Sequence, residues 1–217
     1  MPDNAVSMSP QEALPFVRTE PIQERSAARL DALLDAAAAI VDEIGFNRLT
    51  TGLVAARAKA SIGTVYRYFP DRLVLLHALR NREIQRFKAL VLENISQIPR
   101  GNVSDAVDGF IDAFVSMYRN ESGFQIIRFI GSENSPSGKN DLVPVGFFAR
   151  EFVSILAAEF GIPDNDESIF RTEILVDTCN ALVTRAFQTD PDGDHRFIDE
   201  ARVISRQYAR EHFDSAS

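Results

Sequence analysis

The segment SIGTVYRY, residues 61–68, brings together residue types that suit contact with a polyanion. If it is helical, the 3.6-residue period places Gly63, Thr64, Arg67 and Tyr68 on one face. That face offers hydroxyl and guanidinium donors beside a position that has no side chain. Because DNA presents phosphates and hydrogen-bonding base edges around its major groove, such a face favours insertion into that groove.

The residues around this face predict two short helices, a tight turn and the start of a longer third helix. Thr51, Ser61 and Asp71 are each expected to cap a helix N-terminus. Pro70 disfavours helical geometry at Phe69 and so ends the middle helix. The other face of that helix carries apolar residues at i, i+3, i+4 and i+7, which predicts that it packs against its neighbours. These residues are Ile62, Val65, Tyr66 and Phe69.

The pattern SxGTxYxYFxxRxxLL, from Ser61 to Leu76, resembles the signature of TetR-type transcriptional regulators. The segment between Arg29 and Thr51 is similar to that family's first helix and the turn after it. The resemblance extends over residues 25–79, about a quarter of the chain. It implies a helix-turn-helix head that binds DNA and a larger helical body that dimerises and binds a small molecule.

Helical periodicity continues to the end of the chain, and no alternating strand pattern interrupts it. The sequence therefore predicts an all-α fold of about nine helices. We expect a flexible N-terminal tail at 1–24, a three-helix helix-turn-helix DNA-binding domain at 25–70, and a helical ligand-binding and dimerisation domain at 71–217. A helix from about Asp71 to Ile95 would join the head to the body.

Charge is unevenly distributed along the chain, whose net charge is −8. Residues 25–88 hold 11 Lys/Arg against 6 Asp/Glu and carry +5, whereas residues 89–217 carry −10. Exposed charges act over roughly 10 Å at 0.1 M salt. A basic head can therefore bind DNA while an acidic body stays away from it.

The single cysteine, Cys179, allows no intrachain disulfide and is expected to be a small buried residue of a protein in a reducing compartment. No apolar run is long enough to span a membrane, and residues 1–16 lack the pattern of a signal peptide. We therefore expect a cytoplasmic protein with no membrane partner.

The expected DNA contacts combine the resemblance with local chemistry. Lys59 or Ala60 stands where the family usually has a glycine in the turn, so we expect a left-handed residue there and a phosphate contact from Lys59. Helix N-termini favour anions, which indicates phosphate contacts at Thr51, Ser61 and Arg72. The predicted DNA-binding residues are Thr51, Lys59, Ser61, Gly63, Thr64, Tyr66, Arg67, Tyr68 and Arg72. Tyr66 and Tyr68 resemble family tyrosines whose ring packs on the head and whose hydroxyl reaches a phosphate or a base. A solvated side chain is the alternative for the arginine at 67, and core packing is the alternative for the tyrosine at 66.

A second expected site lies in the body, where the middle helices are rich in aromatic residues. The resemblance implies a pocket there for a small apolar or amphipathic ligand, bounded by the long fourth helix. Arg128 and Asn180 stand among apolar residues and would either bind the polar end of a ligand or pair with an acid. An ordinary aromatic core is the alternative to a pocket. The candidate ligand-binding residues are Phe110, Phe114, Met117, Phe124, Arg128, Phe148, Phe152 and Asn180.

One head of this size covers half of a DNA site, so two heads about 34 Å apart would read a palindromic operator. The resemblance implies a homodimer formed through the last two helices. The last helix offers a stripe for this contact, unless the stripe packs within one chain. The stripe consists of Phe197, Ala201, Ile204 and Tyr208.

The sequence thus favours a sequence-specific DNA-binding transcriptional regulator, most simply a repressor that a small molecule releases from its operator. The alternatives are a helical protein-interaction module without operator binding and an all-helical enzyme. The three histidines form no HExxH or Glu-x-x-His pair, and neither a Gly-rich phosphate loop nor a GxSxG elbow is present. We therefore predict no catalytic residue, no metal and no cofactor.

We predict that Arg67→Ala or Tyr68→Ala abolishes operator binding and leaves the dimer intact, because each removes a donor from the open face. A mobility shift with DNA from upstream of the protein's own gene measures binding, and size-exclusion chromatography measures the dimer. Unchanged affinity in both variants would remove residues 61–68 as the recognition helix.

Overall fold

The structure is a computed structural model that describes residues 20–96, 98, 102–124 and 147–214. These residues form eight α-helices and one 3-10 turn, with no strand among them, so the all-α prediction is confirmed. The elements are α1 Glu20–Ile44, the 3-10 turn Phe46–Arg48, α2 Thr51–Arg57, α3 Ile62–Tyr68, α4 Arg72–Ser96, α5 Val103–Asn120, α6 Phe147–Phe160, α7 Asp166–Thr189 and α8 His195–His212.

The N-terminal boundary differs from the prediction. The expected flexible tail at 1–24 lies outside the described residues up to position 19, and residues 20–24 already belong to α1. Pro21 does not prevent this earlier start, because proline is tolerated in the first turn of a helix.

The head is formed by α1, α2 and α3 together with the first turns of α4. Leu75, Leu76 and Leu79 of α4 are buried in the same apolar cluster as Val65 and Phe69. The boundary expected between residues 70 and 71 therefore falls at the start of α4, but the core of the head continues into that helix. Other members of this core are Leu33, Ala37, Ile40, Val41, Leu49 and Val54.

The body is built around Phe87, which lies in the second half of α4 and is 2% exposed. Four aromatic rings surround it, with centroids between 5.1 and 5.8 Å from its own. Edge-to-face and tilted pairs at these separations are favourable for aromatic rings. The four rings belong to Phe110, Phe114, Phe124 and Phe152.

The start of α5 is capped by a residue from beyond the end of α8. The Asp214 carboxylate accepts hydrogen bonds from the backbone N–H groups of Val103 and Ser104, at 2.8 and 3.4 Å. A carboxylate suits a helix N-terminus because the free N–H groups and the helix dipole both favour negative charge there. This contact links the residues just after α8 to the start of α5.

The junction between head and body contains a buried carboxylate, Glu83, on α4. Its side chain is 0% exposed, and Arg82 Nε donates to it at 3.0 Å. Burial raises the pKa of Glu83, and the neighbouring arginine partly offsets this by favouring the charged form. Arg82 also pairs with Asp35 of α1 at 2.7 Å, so the cluster links α4 to the first helix of the head.

A second contact joins the end of α5 to α1. The backbone N–H of Gly123 donates to the Asp42 carboxylate at 2.9 Å. A Cβ added to Gly123 would lie 2.8 Å from Ala38 Cα and 2.9 Å from Ala38 Cβ, so only glycine allows the turn to approach α1 this closely. Gly123 also has a positive φ of 80°.

We predict that Gly123→Ala destabilises the protein more than Gly161→Ala. Both glycines have positive φ, but a Cβ on Gly161 meets nothing within 4 Å. The control should therefore cost only the left-handed strain, about 1 kcal/mol, whereas the clash with Ala38 should add about 1–3 kcal/mol. Urea unfolding followed by circular dichroism measures both. Equal losses would show that the contact between the turn and α1 is not closely packed.

Candidate functional site

Helix α3 begins and ends where its sequence predicts. Ser61 Oγ accepts from the backbone N–H of Thr64 at 3.1 Å and lies 2.8 Å from Thr64 Oγ1, so Ser61 is the N-cap. Phe69, just before Pro70, is extended and 2% exposed. Asp71 accepts from the N–H of Val74 at 2.8 Å and caps α4 as expected.

The apolar stripe predicted for α3 is only half correct. Val65 and Phe69 are buried, but Ile62 is 46% exposed and Tyr66 is 51% exposed. The helix has seven residues and uses only the narrow ridge from Val65 to Phe69 against the head. Tyr66 therefore lies on the open face, and its alternative placement in the core is wrong.

The ring of Tyr68 packs against the head, as the resemblance implies, and the DNA contact of its hydroxyl stays a prediction. Its side chain is half-buried, and its hydroxyl lies 3.1 Å from Ser26 Oγ in α1. The hydrogen bond with Ser26 lowers the pKa of Tyr68, and the adjacent Arg67 acts in the same direction. The Arg67 guanidinium lies 5.1 Å from the centre of the tyrosine ring. Tyr68 thus holds α3 to α1 and positions the exposed Arg67.

No close contact among the described residues requires glycine at two positions in the short helices, Gly52 and Gly63. A Cβ on Gly63 would meet only Ser61 Oγ, at 3.9 Å, and a Cβ on Gly52 would meet only Thr50 Oγ1, also at 3.9 Å. Neither has a positive φ. Glycine within a helix costs about 1 kcal/mol relative to alanine, so both positions lower helix stability without an internal benefit. The sequence reasoning missed Gly52, although a glycine inside a predicted helix was a visible signal.

The turn between α2 and α3 has the left-handed residue that the sequence indicates. Lys59 has φ 49° and is the one non-glycine residue with positive φ in the described ranges. Its side chain is exposed. The cap of α2 was placed one residue too late, because Thr50 and not Thr51 accepts the N–H of Leu53, at 3.2 Å. The DNA contacts of Thr51 and Lys59 remain predictions.

Arg72 has a structural role that the sequence did not indicate. Its Nε donates to the Leu49 carbonyl oxygen at 2.8 Å, and its Nη2 donates to the Phe46 carbonyl oxygen at 2.7 Å. These two bonds hold the 3-10 turn and the start of α2 against α4. A guanidinium can do this because its donors are fixed in one plane. We therefore leave Arg72 out of the proposed interface.

The body contains a narrow apolar cavity of about 40 Å³ between α4, α5, α6 and α7. Small-molecule sites usually enclose roughly 300–1,000 Å³. This cavity is far smaller, because the four helices lie close together here. Residues that line the cavity include Val91, Ile95, Phe110, Phe152, Thr172 and Leu175. Phe110 and Phe152 are the two candidate ligand residues found in its lining.

Most of the other candidate ligand residues lie away from the cavity. Phe114, Met117 and Phe124 are buried in the core around it. Asn180 is half-buried, and its Oδ1 accepts from the Thr184 hydroxyl at 3.3 Å, so its polar group has a partner on its own helix. Arg128 and the side chain of Phe148 lie outside the described part of the chain. The sequence reasoning missed Thr172, which stands in the apolar stripe of α7.

The stripe expected at a dimer interface mostly faces its own chain. Ala201 is fully buried, and Phe197 and Tyr208 pack against the core of the body. Of the predicted stripe, Ile204 alone stays exposed, at 41%. The other large apolar side chains that the described parts of α7 and α8 leave exposed are Phe170, at 52%, and Val203, at 58%. The shift arises because α8 packs on both α5 and α7 and so uses more of its surface within the chain.

Cys179 is fully buried, and its Sγ lies 3.1 Å from Ser205 Oγ. Burial raises the pKa of the Cys179 thiol to about 11, so it is protonated at neutral pH and inert. This confirms the expected small buried residue. Among the described residues, no cluster of three or more His, Cys, Asp or Glu side chains could hold a metal ion. None of the described helices is both long and apolar enough to cross a bilayer.

The fold and the exposed face of α3 define a two-part helical protein with a helix-turn-helix head. Residues 33–79 match the family model of bacterial regulatory proteins of the tetR family, and residues 101–213 match the tetracyclin repressor-like C-terminal domain. The second match alone covers more than half of the chain. The chain belongs to the TetR family of bacterial regulatory proteins.

Several known transcriptional regulators are similar to this chain in sequence or structure. The crystal structure of a TetR-family transcriptional regulator from Streptomyces coelicolor is 33% identical, has a TM-score of 0.73, and covers 88% of this chain and 100% of that one. The HTH-type transcriptional repressor KstR of Mycolicibacterium smegmatis is 38% identical over 66 residues, 30% of this chain and 32% of that protein. The HTH-type transcriptional regulator BetI of Klebsiella pneumoniae is 29% identical over 98 residues, 45% of this chain and 47% of that protein. The matches to KstR and BetI thus span a third to a half of those relatives.

We predict that Arg72→Ala lowers the free energy of unfolding by about 1.5–3 kcal/mol, because it removes two charge-assisted hydrogen bonds. Arg72→Lys should lose part of this, since an ammonium group lacks the planar donors. Exposed Arg48 provides a control: Arg48→Ala removes the same charge nearby and should change stability little. Urea unfolding measures all three. If the Arg72→Ala variant kept full stability but bound DNA more weakly, the predicted phosphate contact of Arg72 would be supported instead.

Proposed function

We propose that this protein is a DNA-binding transcriptional regulator, most simply a repressor, that binds a palindromic operator as a homodimer and leaves it when a small molecule enters the body. The observation that carries the DNA-binding part is the open face of α3. Ile62, Tyr66 and Arg67 are exposed there, around a glycine that its own chain does not require. A helix face with this composition suits a binding partner, such as DNA, whose surface comes very close to the backbone of α3.

The exposed groups on α3 match the chemistry of the major groove. Arg67 has donors that can bind guanine O6 and N7 together or a phosphate oxygen. The apolar edges of Ile62 and Tyr66 suit thymine methyl groups. Lys59, in the turn before α3, would add a phosphate contact. The absence of a side chain at Gly63 allows these groups to reach base edges without a collision.

Dimerisation would place two such heads on one operator. The exposed apolar side chains of α7 and α8, Phe170, Val203 and Ile204, support a contact between two copies of the body. A large exposed apolar area on a folded chain usually marks an interaction site. Two heads would then bind half-sites about 34 Å apart on one side of the duplex.

Ligand control is supported by the position of the cavity beside α4. Val91 and Ile95 of α4 line the cavity, and Leu75 and Leu79 of the same helix lie in the core of the head. A ligand larger than the present cavity has to separate α4 from its neighbours. Because α4 is continuous, this separation would move the head and change the distance between the two recognition helices.

A protein-interaction module is the second candidate, and the apolar character of Ile62 and Tyr66 favours it. Salt dependence separates the two functions. Binding to DNA phosphates releases counterions, so affinity should fall steeply between 50 and 200 mM salt. Binding that stays constant over this range, or no binding to any duplex selected from a random pool, would favour the interaction module.

We predict that Gly63→Gln weakens operator binding by about tenfold or more, since a side chain there would collide with the duplex. Stability should stay equal or increase, because glutamine is a better helix former than glycine. Fluorescence anisotropy with a labelled duplex measures affinity, and thermal unfolding measures stability.

The control for this variant is Ser154→Gln on the exposed face of α6, which should leave DNA affinity unchanged. Opposite effects on binding and stability cannot arise from unfolding. Full DNA affinity in the Gly63→Gln variant would contradict the proposed approach of α3 to the groove.

A further inference from the structure

Among the described residues that line the cavity, Thr172 has a polar atom without a hydrogen-bond partner. Its Oγ1, on α7, makes no hydrogen bond with the part of the chain that the structure describes, and the residue is 1% exposed. Thr172 also lines the cavity. A buried hydroxyl without a hydrogen bond costs free energy, so proteins usually satisfy such groups. Its position at an open space therefore needs an explanation.

Three other polar side chains of α7, Thr178, Thr184 and Cys179, have hydrogen-bonding partners. Thr178 donates to the Ile174 carbonyl oxygen at 2.8 Å. The Thr184 hydroxyl lies 2.8 Å from the Tyr118 hydroxyl. Cys179, also in the lining, contacts Ser205. Thr172 thus differs from them because it lines the cavity and its hydroxyl has no hydrogen-bond partner among the described residues.

The rest of the lining is apolar. The side chains from α4, α5 and α6 that surround the cavity are all aliphatic or aromatic, and no described lining residue carries a charge. A charged group placed here would lose its hydration without gaining an opposite charge. An uncharged polar group, in contrast, needs only one hydrogen-bond partner, and Thr172 offers one.

We propose that the cavity, once α4 moves away from its neighbours, binds an uncharged, mainly apolar molecule with a single hydrogen-bonding group, and that this group pairs with Thr172 Oγ1. The class includes long-chain alcohols, aldehydes and ketones, because a threonine hydroxyl both donates and accepts. The inference deepens the proposed function, on which its regulatory consequence rests. Binding itself does not depend on DNA.

The first test uses straight-chain alcohols of six to twelve carbons and the carboxylates of equal length as probes, with isothermal titration calorimetry on the full chain. At least one alcohol should bind, and the matching carboxylate should bind tenfold more weakly or not at all. Thr172→Val keeps the shape of the side chain and should weaken the alcohol about tenfold. Thr172→Ser keeps the hydroxyl and should retain its affinity. Binding of no alcohol, equal binding of the carboxylate, or unchanged affinity in Thr172→Val would overturn the proposal.

The second test concerns the ligand-free protein. Because Thr172→Val removes an unpartnered hydroxyl, its melting temperature should equal or exceed that of the natural chain. A clear decrease would show that the hydroxyl has a partner within the protein, and the proposal would fail.

A mobility shift with the alcohol that binds separates this inference from the proposed function. An alcohol that binds through Thr172 but does not release DNA would contradict ligand control and leave the ligand class in place. Release of DNA by an alcohol that binds Thr172→Val equally well would support ligand control and overturn the role of Thr172.

Discussion

Helix α4 belongs to two hydrophobic cores, and the rest of the structure depends on this. Leu75, Leu76 and Leu79 complete the core of the head, whereas Phe87 and Val91 belong to the core of the body. A continuous helix does not bend easily without a proline or an inserted group. A displacement of its second half is therefore carried to the first, and the position of α3 follows from the packing of the body.

The junction between head and body resists independent motion. The fully buried Glu83 keeps Arg82 in place, and Arg82 reaches Asp35 on α1. On the other side, Gly123 brings the end of α5 against Ala38. Removal of one partner from a buried charge cluster is strongly unfavourable. The head is thus held at two points besides α4 itself. A displacement in the body is therefore transmitted to α1 and α3.

Local signals in the sequence predicted the head well, and longer-range contacts account for the errors. Ser61, Asp71 and Lys59 have the predicted conformations because caps and turns depend on a few neighbouring residues. The hydrogen-bond partners of Arg72 and Tyr68 could not be assigned in this way, since they are 23 to 42 residues distant in the chain. The cavity was harder still: its lining comes from four helices, so the sequence showed an aromatic body but not that Thr172 faces an open space.

Hydrogen–deuterium exchange with and without a bound duplex tests the central claim most directly, because it reports which backbone amides the DNA covers. The duplex is the region upstream of the protein's own gene or one selected by the protein from a random pool. The account predicts slower exchange in α2 and α3, and above all in residues 61–68. Unchanged exchange there at saturating DNA, with protection confined to α7 and α8, would contradict it.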